Sequence, residues 1–117
     1  MRITMDDLEM TYWDSALQFQ IFDNEKGYIE TSFTDKDNQE ITFDVILQGN
    51  SDIVLFADIV VDLKANYELI NRLCKKGDCS LVESSDKQYL QKFTDIDHVA
   101  DDSLKFLQCL IVLDGIR

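Results

Sequence analysis

Four side chains in this sequence carry ligand or nucleophile chemistry beyond that of ordinary polar residues: Cys74, Cys79, His98 and Cys109. All four are soft donors of the kind that hold zinc. A structural zinc site, however, draws on tight cysteine pairs such as C-x2-C. Here four residues separate Cys74 from Cys79, eighteen more precede His98, and ten more precede Cys109. Cys74 and Cys109 also fall on apolar faces, where a free thiol packs as a small hydrophobe. No metal site is expected. Three cysteines are too few and odd in number for a disulfide framework, which suits a reducing compartment. A bridge between Cys74 and Cys79 is the pairing their proximity would allow, and free thiols are the expected state.

His98 is the single histidine and lies between acids, with Asp95 and Asp97 just before it. Acid-base or nucleophilic chemistry would fall to this group, but no shaped turn such as G-x-S-x-G presents a nucleophile to it. A histidine at a helix start beside acids reads as a surface residue, and no catalytic residue is expected. Asp35, Asp37 and Gln39 occupy positions 1, 3 and 5 of an EF-hand-like loop. Position 6 is Glu40 where glycine is required and position 12 is Ile46 where a bidentate glutamate should stand, so these are turn residues with solvated charge. Four scattered glycines form no phosphate-binding loop. No cofactor is expected.

The elements that would position these groups follow from hydrophobic period. Residues 16–22 alternate, with Leu17, Phe19 and Ile21 on one face. After a turn at 24–27, residues 28–34 alternate again, with Ile29, Thr31 and Phe33 inward. After a second turn at 35–38, residues 41–47 place Ile41, Phe43, Val45 and Leu47 inward. Short turns between consecutive strands imply an antiparallel meander. Residues 53–61 are almost continuously apolar and read as a strand covered on both faces, with Asp58 at a bulge or a wet strand end. Residues 62–74 have helical spacing, with Leu63, Tyr67, Ile70 and Cys74 on one stripe, Asp62 as N-cap and Gly77 as left-handed C-cap. Residues 80–83 and 88–93 read as strands around a turn, and 97–114 as a helix, with a strand over 107–113 as the alternative. The first ten residues fit a weak helix cap at Thr4 and Asp7, an edge strand or a frayed end. The expected fold is therefore α+β: one acidic domain over residues 1–117, an antiparallel sheet of about five to six strands packed against two helices.

Charge bounds the function. The chain carries 23 acids against 11 bases, a net −12 over 117 residues, and the imbalance sits in the first half. Residues 1–58 hold 13 acids and 3 bases, residues 59–117 hold 10 and 8. A surface of this sign repels nucleic acid and anionic lipid and steers basic proteins toward it. The same charge would also serve solubility alone. No apolar run reaches the ~20 residues of a spanning helix, and the first ten residues turn acidic rather than apolar, unlike a targeting segment. Neither membrane nor nucleic acid is an expected partner, and a cytoplasmic location is expected.

Three functions compete on these grounds. The first is a non-enzymatic immunity or inhibitor protein that masks a basic partner such as a nuclease-type toxin. Its binding residues would be Tyr28, Glu30 and Asp44 on the outward strand face, with Asp35, Asp37 and Glu40 in and beside the turn. Gln18, Gln20 and Thr42 would lie among them. The second is a small acidic chaperone of an effector protein: the element order and low pI are similar in general outline to type III secretion chaperones, without a residue motif to carry the likeness. The third, an enzyme built on Asp95, Asp97 and His98, lacks a nameable reaction. Oligomeric state is not legible in any of the three.

Overall fold

In a computed structural model of the chain, the described residues are 4–14, 20–24, 28–34, 38, 40–48, 52–85 and 87–115. They form nine elements: α1 (Met5–Asp14), β1 (Gln20–Asn24), β2 (Tyr28–Thr34), β3 (Glu40–Gln48), β4 (Asp52–Ile59), α2 (Leu63–Gly77), β5 (Ser80–Glu83), β6 (Gln88–Thr94) and α3 (Val99–Gly115). The six strands make one antiparallel sheet in the order β1-β2-β3-β4-β6-β5. The expected class, α+β with an antiparallel sheet, is the observed one. The first four strands run as a meander. After α2, the chain returns at the sheet edge as β5 and folds back as β6 against β4.

The alternation in β2 and β3 sorts their side chains as a half-covered sheet requires. Ile29, Thr31, Phe43 and Val45 are buried, whereas Glu30 and Thr42 are exposed. Thr31 lies on the apolar side because its hydroxyl donates to the Phe43 carbonyl at 3.1 Å, so it buries no unpaired group. Ser32, read as outward, is nonetheless buried, and its hydroxyl donates to the Glu40 carboxylate at 2.8 Å. The residues expected to extend β1 toward 16 lie outside the described set.

All three helices serve the face that carries Phe43, Val45, Leu55 and Leu90. α3 crosses it, with Val99, Ser103, Phe106, Leu107, Cys109, Leu110 and Leu113 buried at helical intervals. The residues 107–113 are thus helical, and the strand alternative is not adopted. Their spacing explains the choice: Ile111 and Val112 remain part-exposed, as one side of a helix should, whereas a strand would alternate them. The Phe106 ring meets Phe43 edge-on at 5.2 Å between centroids.

Three helices, not two, pack on the sheet. α1 forms because Thr4 and Asp7 cap each other reciprocally: the Thr4 amide donates to the Asp7 carboxylate at 2.9 Å and the Asp7 amide to the Thr4 hydroxyl at 3.2 Å. Leu8 and Tyr12, four apart, then bury one stripe of the helix, and the Tyr12 hydroxyl bonds Ser103 of α3 at 2.6 Å. Leu8 and Tyr12, the buried pair among the described side chains of α1, give little periodicity to read in the sequence.

α2 begins on Asp62, whose carboxylate accepts from the Ala65 amide at 3.2 Å, as expected. Its end differs. The left-handed residue is Asp78 (φ 52°, ψ 45°), with the Cys79 amide donating to the Cys74 carbonyl at 2.9 Å in a Schellman closure. Gly77 is helical and serves a different need, room: a Cβ there would stand 2.6 Å from the Cys109 sulfur. Tyr67 is also corrected, being 64% exposed. α2 meets α3 along a narrow line, with Ile70 and Gly77 its buried residues, so Tyr67 falls outside the contact.

β4 is less enclosed than its apolar run implied. Ile53, Leu55 and Ala57 point to the helices, while Val54, Phe56 and Asp58 point away; Val54 is buried, Phe56 half-buried and Asp58 exposed. Asp58 pairs with Tyr89 in the regular ladder, one step from the strand end, rather than at a bulge.

Candidate functional site

Antiparallel partners share a face, so the ladder registers define the side of the sheet that no described helix covers. On β2 it holds Tyr28, Glu30, Ser32 and Thr34, and on β3 Glu40, Thr42, Asp44, Ile46 and Gln48. On β4 it holds Asp52, Val54, Phe56 and Asp58, on β6 Tyr89, Gln91 and Phe93, and on β5 Ser80 and Val82. Five of these are acids, Glu30, Glu40, Asp44, Asp52 and Asp58, and none is a base. The described bases lie elsewhere: Lys64, Arg72, Lys75 and Lys76 on α2, Lys105 on α3, Lys87 in a turn, and Lys92 buried on the helix side.

Glu30 stands directly opposite Asp44 in the ladder, and Asp58 lies diagonally from Asp44 across the Phe56 position. Burial pushes the Asp44 carboxyl above the ordinary carboxylate range, and the charges of Glu30 and then Asp58 push it further. Beside these acids the face turns apolar. The Phe56 and Tyr89 rings stack at 4.8 Å with a 32° tilt, and Phe93 is 63% exposed. Glu40 and Asp58 additionally border a cavity of ≈ 250 Å³ closed by Leu110, Leu113 and Asp114 of α3.

Comparison of the chain with protein-family profiles, with curated proteins and with solved structures gives no match. The chemistry of the face therefore rests on its own residues. Of the six side chains singled out in the sequence, Tyr28, Glu30, Glu40 and Asp44 share this one face, and Asp35 and Asp37 lie outside the described residues, as do Gln18 and the Gln20 side chain. Asp52, Asp58, Phe56, Tyr89 and Phe93 were not foreseen as neighbours of those acids. The parity of β4 carries the signal for Asp58 and Phe56, and it was hidden because a run apolar on both sides reads as doubly covered.

The Asp95-Asp97-His98 segment makes a cap. The His98 amide donates to the Asp95 carboxylate at 3.0 Å, and its ring Nδ1 pairs with the same carboxylate at 2.6 Å. That hydrogen bond and the Asp95 charge raise the imidazole pKa, and the same hydrogen bond with the His98 charge lowers the Asp95 pKa. Both groups are exposed. Among the described residues, no three His, Cys, Asp or Glu side chains are placed to hold a metal ion, and no described helix is long and apolar enough to cross a membrane.

Like charges held opposite one another destabilise a sheet by about 0.2–1 kcal/mol. Asp44→Asn is therefore expected to raise stability by about that amount at neutral pH. The sign follows from linkage: a carboxyl with a raised folded-state pKa binds its proton more readily when folded, so its destabilising effect is absent in acid and grows as pH rises through that pKa. Urea unfolding should show the gain at neutral pH and its disappearance in acid. A loss of stability at neutral pH would mean that the Asp44 carboxylate is held by a favourable contact.

Proposed function

We propose that this chain is a non-enzymatic binding protein whose anionic sheet face docks on a basic protein. A nuclease-type toxin, neutralised in the manner of an immunity protein, is the partner that suits it best. The supporting observation is the face that no described helix covers: among its described residues are five acids and no base, set beside the Phe56–Tyr89 stack and the exposed Phe93 ring. Carboxylates of this density can occupy the cationic surface on which a nuclease seats phosphates, and the aromatic group supplies the desolvated anchor that charge alone lacks. The charges of Glu30 and Asp58 add to burial in raising the Asp44 pKa, as acids gathered on one face do. Inhibition of this kind requires no chemistry of the inhibitor, and it fits a cytoplasmic protein shielding its own cell.

The test is titration of the purified chain against basic nuclease domains at low and high salt. Binding should weaken with salt through a slower association rate. Charge reversal at Glu30, Asp44 and Asp58 together should abolish binding, whereas reversal of Asp101 on α3 should leave it intact. Binding unaffected by the triple reversal removes the proposal.

The second reading, a chaperone of an effector protein, gains support from α1, which supplies the leading helix that the sequence left open. Such a chaperone works as a dimer, so a strictly monomeric sedimentation profile would remove it.

A further inference from the structure

On the opposite side of the molecule, where α2 ends against α3, two thiols lie together. The Cys79 and Cys109 sulfurs are 4.0 Å apart, with Cys79 the donor. Cys79 also donates to the Gly77 carbonyl at 3.3 Å. The missing side chain of Gly77 leaves the space the two sulfurs share, for a Cβ there would stand 2.6 Å from Cys109 and 3.3 Å from Cys79. The buried Lys92 ammonium is tied to the same corner by the Gly77 and Asp78 carbonyls.

Cys109 is itself 4% exposed, yet its residue forms part of the wall of a cavity of ≈ 310 Å³ between α2 and α3. Leu73 and Val112 give that cavity its apolar walls, and Lys76 and Lys105 line it as well. Such a recess admits a small oxidant more readily than a bulky reagent. Cys79 borders a separate groove on the other flank of α2, together with Cys74.

We propose that Cys109 and Cys79 form a peroxide-reactive thiol pair, with Cys109 as the attacking sulfur and Cys79 as the resolving one. The Cys109 thiolate attacks one oxygen of hydrogen peroxide; an S–O bond forms, the O–O bond breaks, and the departing hydroxide takes up a proton to leave as water. The Cys79 sulfur then attacks the Cys109 sulfenic acid. The S–S bond forms, the S–O bond breaks, and a second water leaves with the Cys79 proton. Two thiols are oxidised and one peroxide is reduced to two waters. The division of labour follows from the environment. The hydrogen bond from Cys79 lowers the Cys109 pKa to about 7 against the effect of burial, with the Lys92 charge assisting, while donating that bond, burial and the Cys109 charge hold Cys79 a thiol well above the usual range. Burial and the neighbouring Cys109 charge also keep Cys74 protonated. The inference is independent of partner docking, since these thiols lie on the helix side of the sheet.

The experiment is peroxide treatment of the full chain, alkylation of the remaining thiols, and peptide mapping by mass spectrometry without reduction. The expected product is a Cys79–Cys109 linked peptide lacking two hydrogens, with Cys74 alkylated. In Cys79→Ser the disulfide should vanish and a dimedone adduct should appear on Cys109; in Cys74→Ser the disulfide should persist. A Cys74–Cys79 link, a dimedone adduct on Cys79 in place of Cys109, or three unchanged thiols in a sample whose exposed Met10 has oxidised would each overturn the assignment. If Cys79→Ser does not fold, the map of the unaltered chain decides alone.

Discussion

Phe106→Ala is expected to lower the unfolding free energy by about 3–5 kcal/mol, the largest loss of any single truncation in this core. The side chain is fully buried at the centre of α3 and meets Phe43 edge to face, so its removal deletes apolar contact and an aromatic pair at once. It also opens a void between α3 and the strands beneath it. Domains of this size hold about 5–15 kcal/mol in all, so the variant should be partly unfolded at moderate temperature. Urea unfolding followed by far-ultraviolet circular dichroism would measure the midpoint. Phe106→Leu, which keeps most of the volume, should lose less than half as much; equal losses from both would show that ring geometry, not volume, is what the site requires.

The second large effect is expected at Asp102. Lys92 sits on the inward side of β6, opposite Leu55, with its side chain 4% exposed. Its ammonium is held by the Gly77 and Asp78 carbonyls and by the Asp102 carboxylate at 3.7 Å. Asp102 in turn accepts from the Thr94 hydroxyl at 2.6 Å. Asp102→Ala leaves a buried cation without its counter-charge and Thr94 with only the longer bond to the Asp95 carbonyl, and should cost about 3 kcal/mol. Replacing both partners, Lys92→Met with Asp102→Leu, should recover most of that loss, because uncharged neighbours need no compensation. A double variant as unstable as Asp102→Ala alone would show that the carbonyl bonds of Lys92, rather than the ion pair, tie β6 to the end of α2.

Much of this architecture was legible because the strands alternate cleanly. β2 begins and ends where its alternation does, and β5 coincides with the run 80–83. Asp62 announced the start of α2 by residue type alone. What stayed hidden depends on contacts across the chain. α1 is stabilised by Tyr12 reaching Ser103, ninety-one residues away, and no local pattern reports that bond. Residue type alone points to Gly77 for the left-handed role that glycine commonly takes, whereas its lack of a Cβ is needed for the Cys109 sulfur, and Asp78 accepts the positive φ instead. The acids Glu30 and Asp44 were readable as outward on adjacent strands. Their meeting with Asp58 and the Phe56–Tyr89 stack required the pairing of β4 with β3 and β6, a register that no strand states by itself. The spacing of the three cysteines speaks against a metal and allows a Cys74–Cys79 bridge; the closeness of Cys79 to Cys109 arises only when α3 folds back on the end of α2.

The short strand at the β5 border bears on how copies of this molecule tolerate crowding. An open sheet margin invites a neighbouring chain to continue the ladder and so to seed fibrous growth. β5 offers only four residues for such an addition, with Glu83 at its end and Lys87 across the turn. Each recruited copy would also bring another −12 of charge to the stack. Growth along that margin would gain few hydrogen bonds per step against mounting repulsion, which favours dispersed molecules at high concentration.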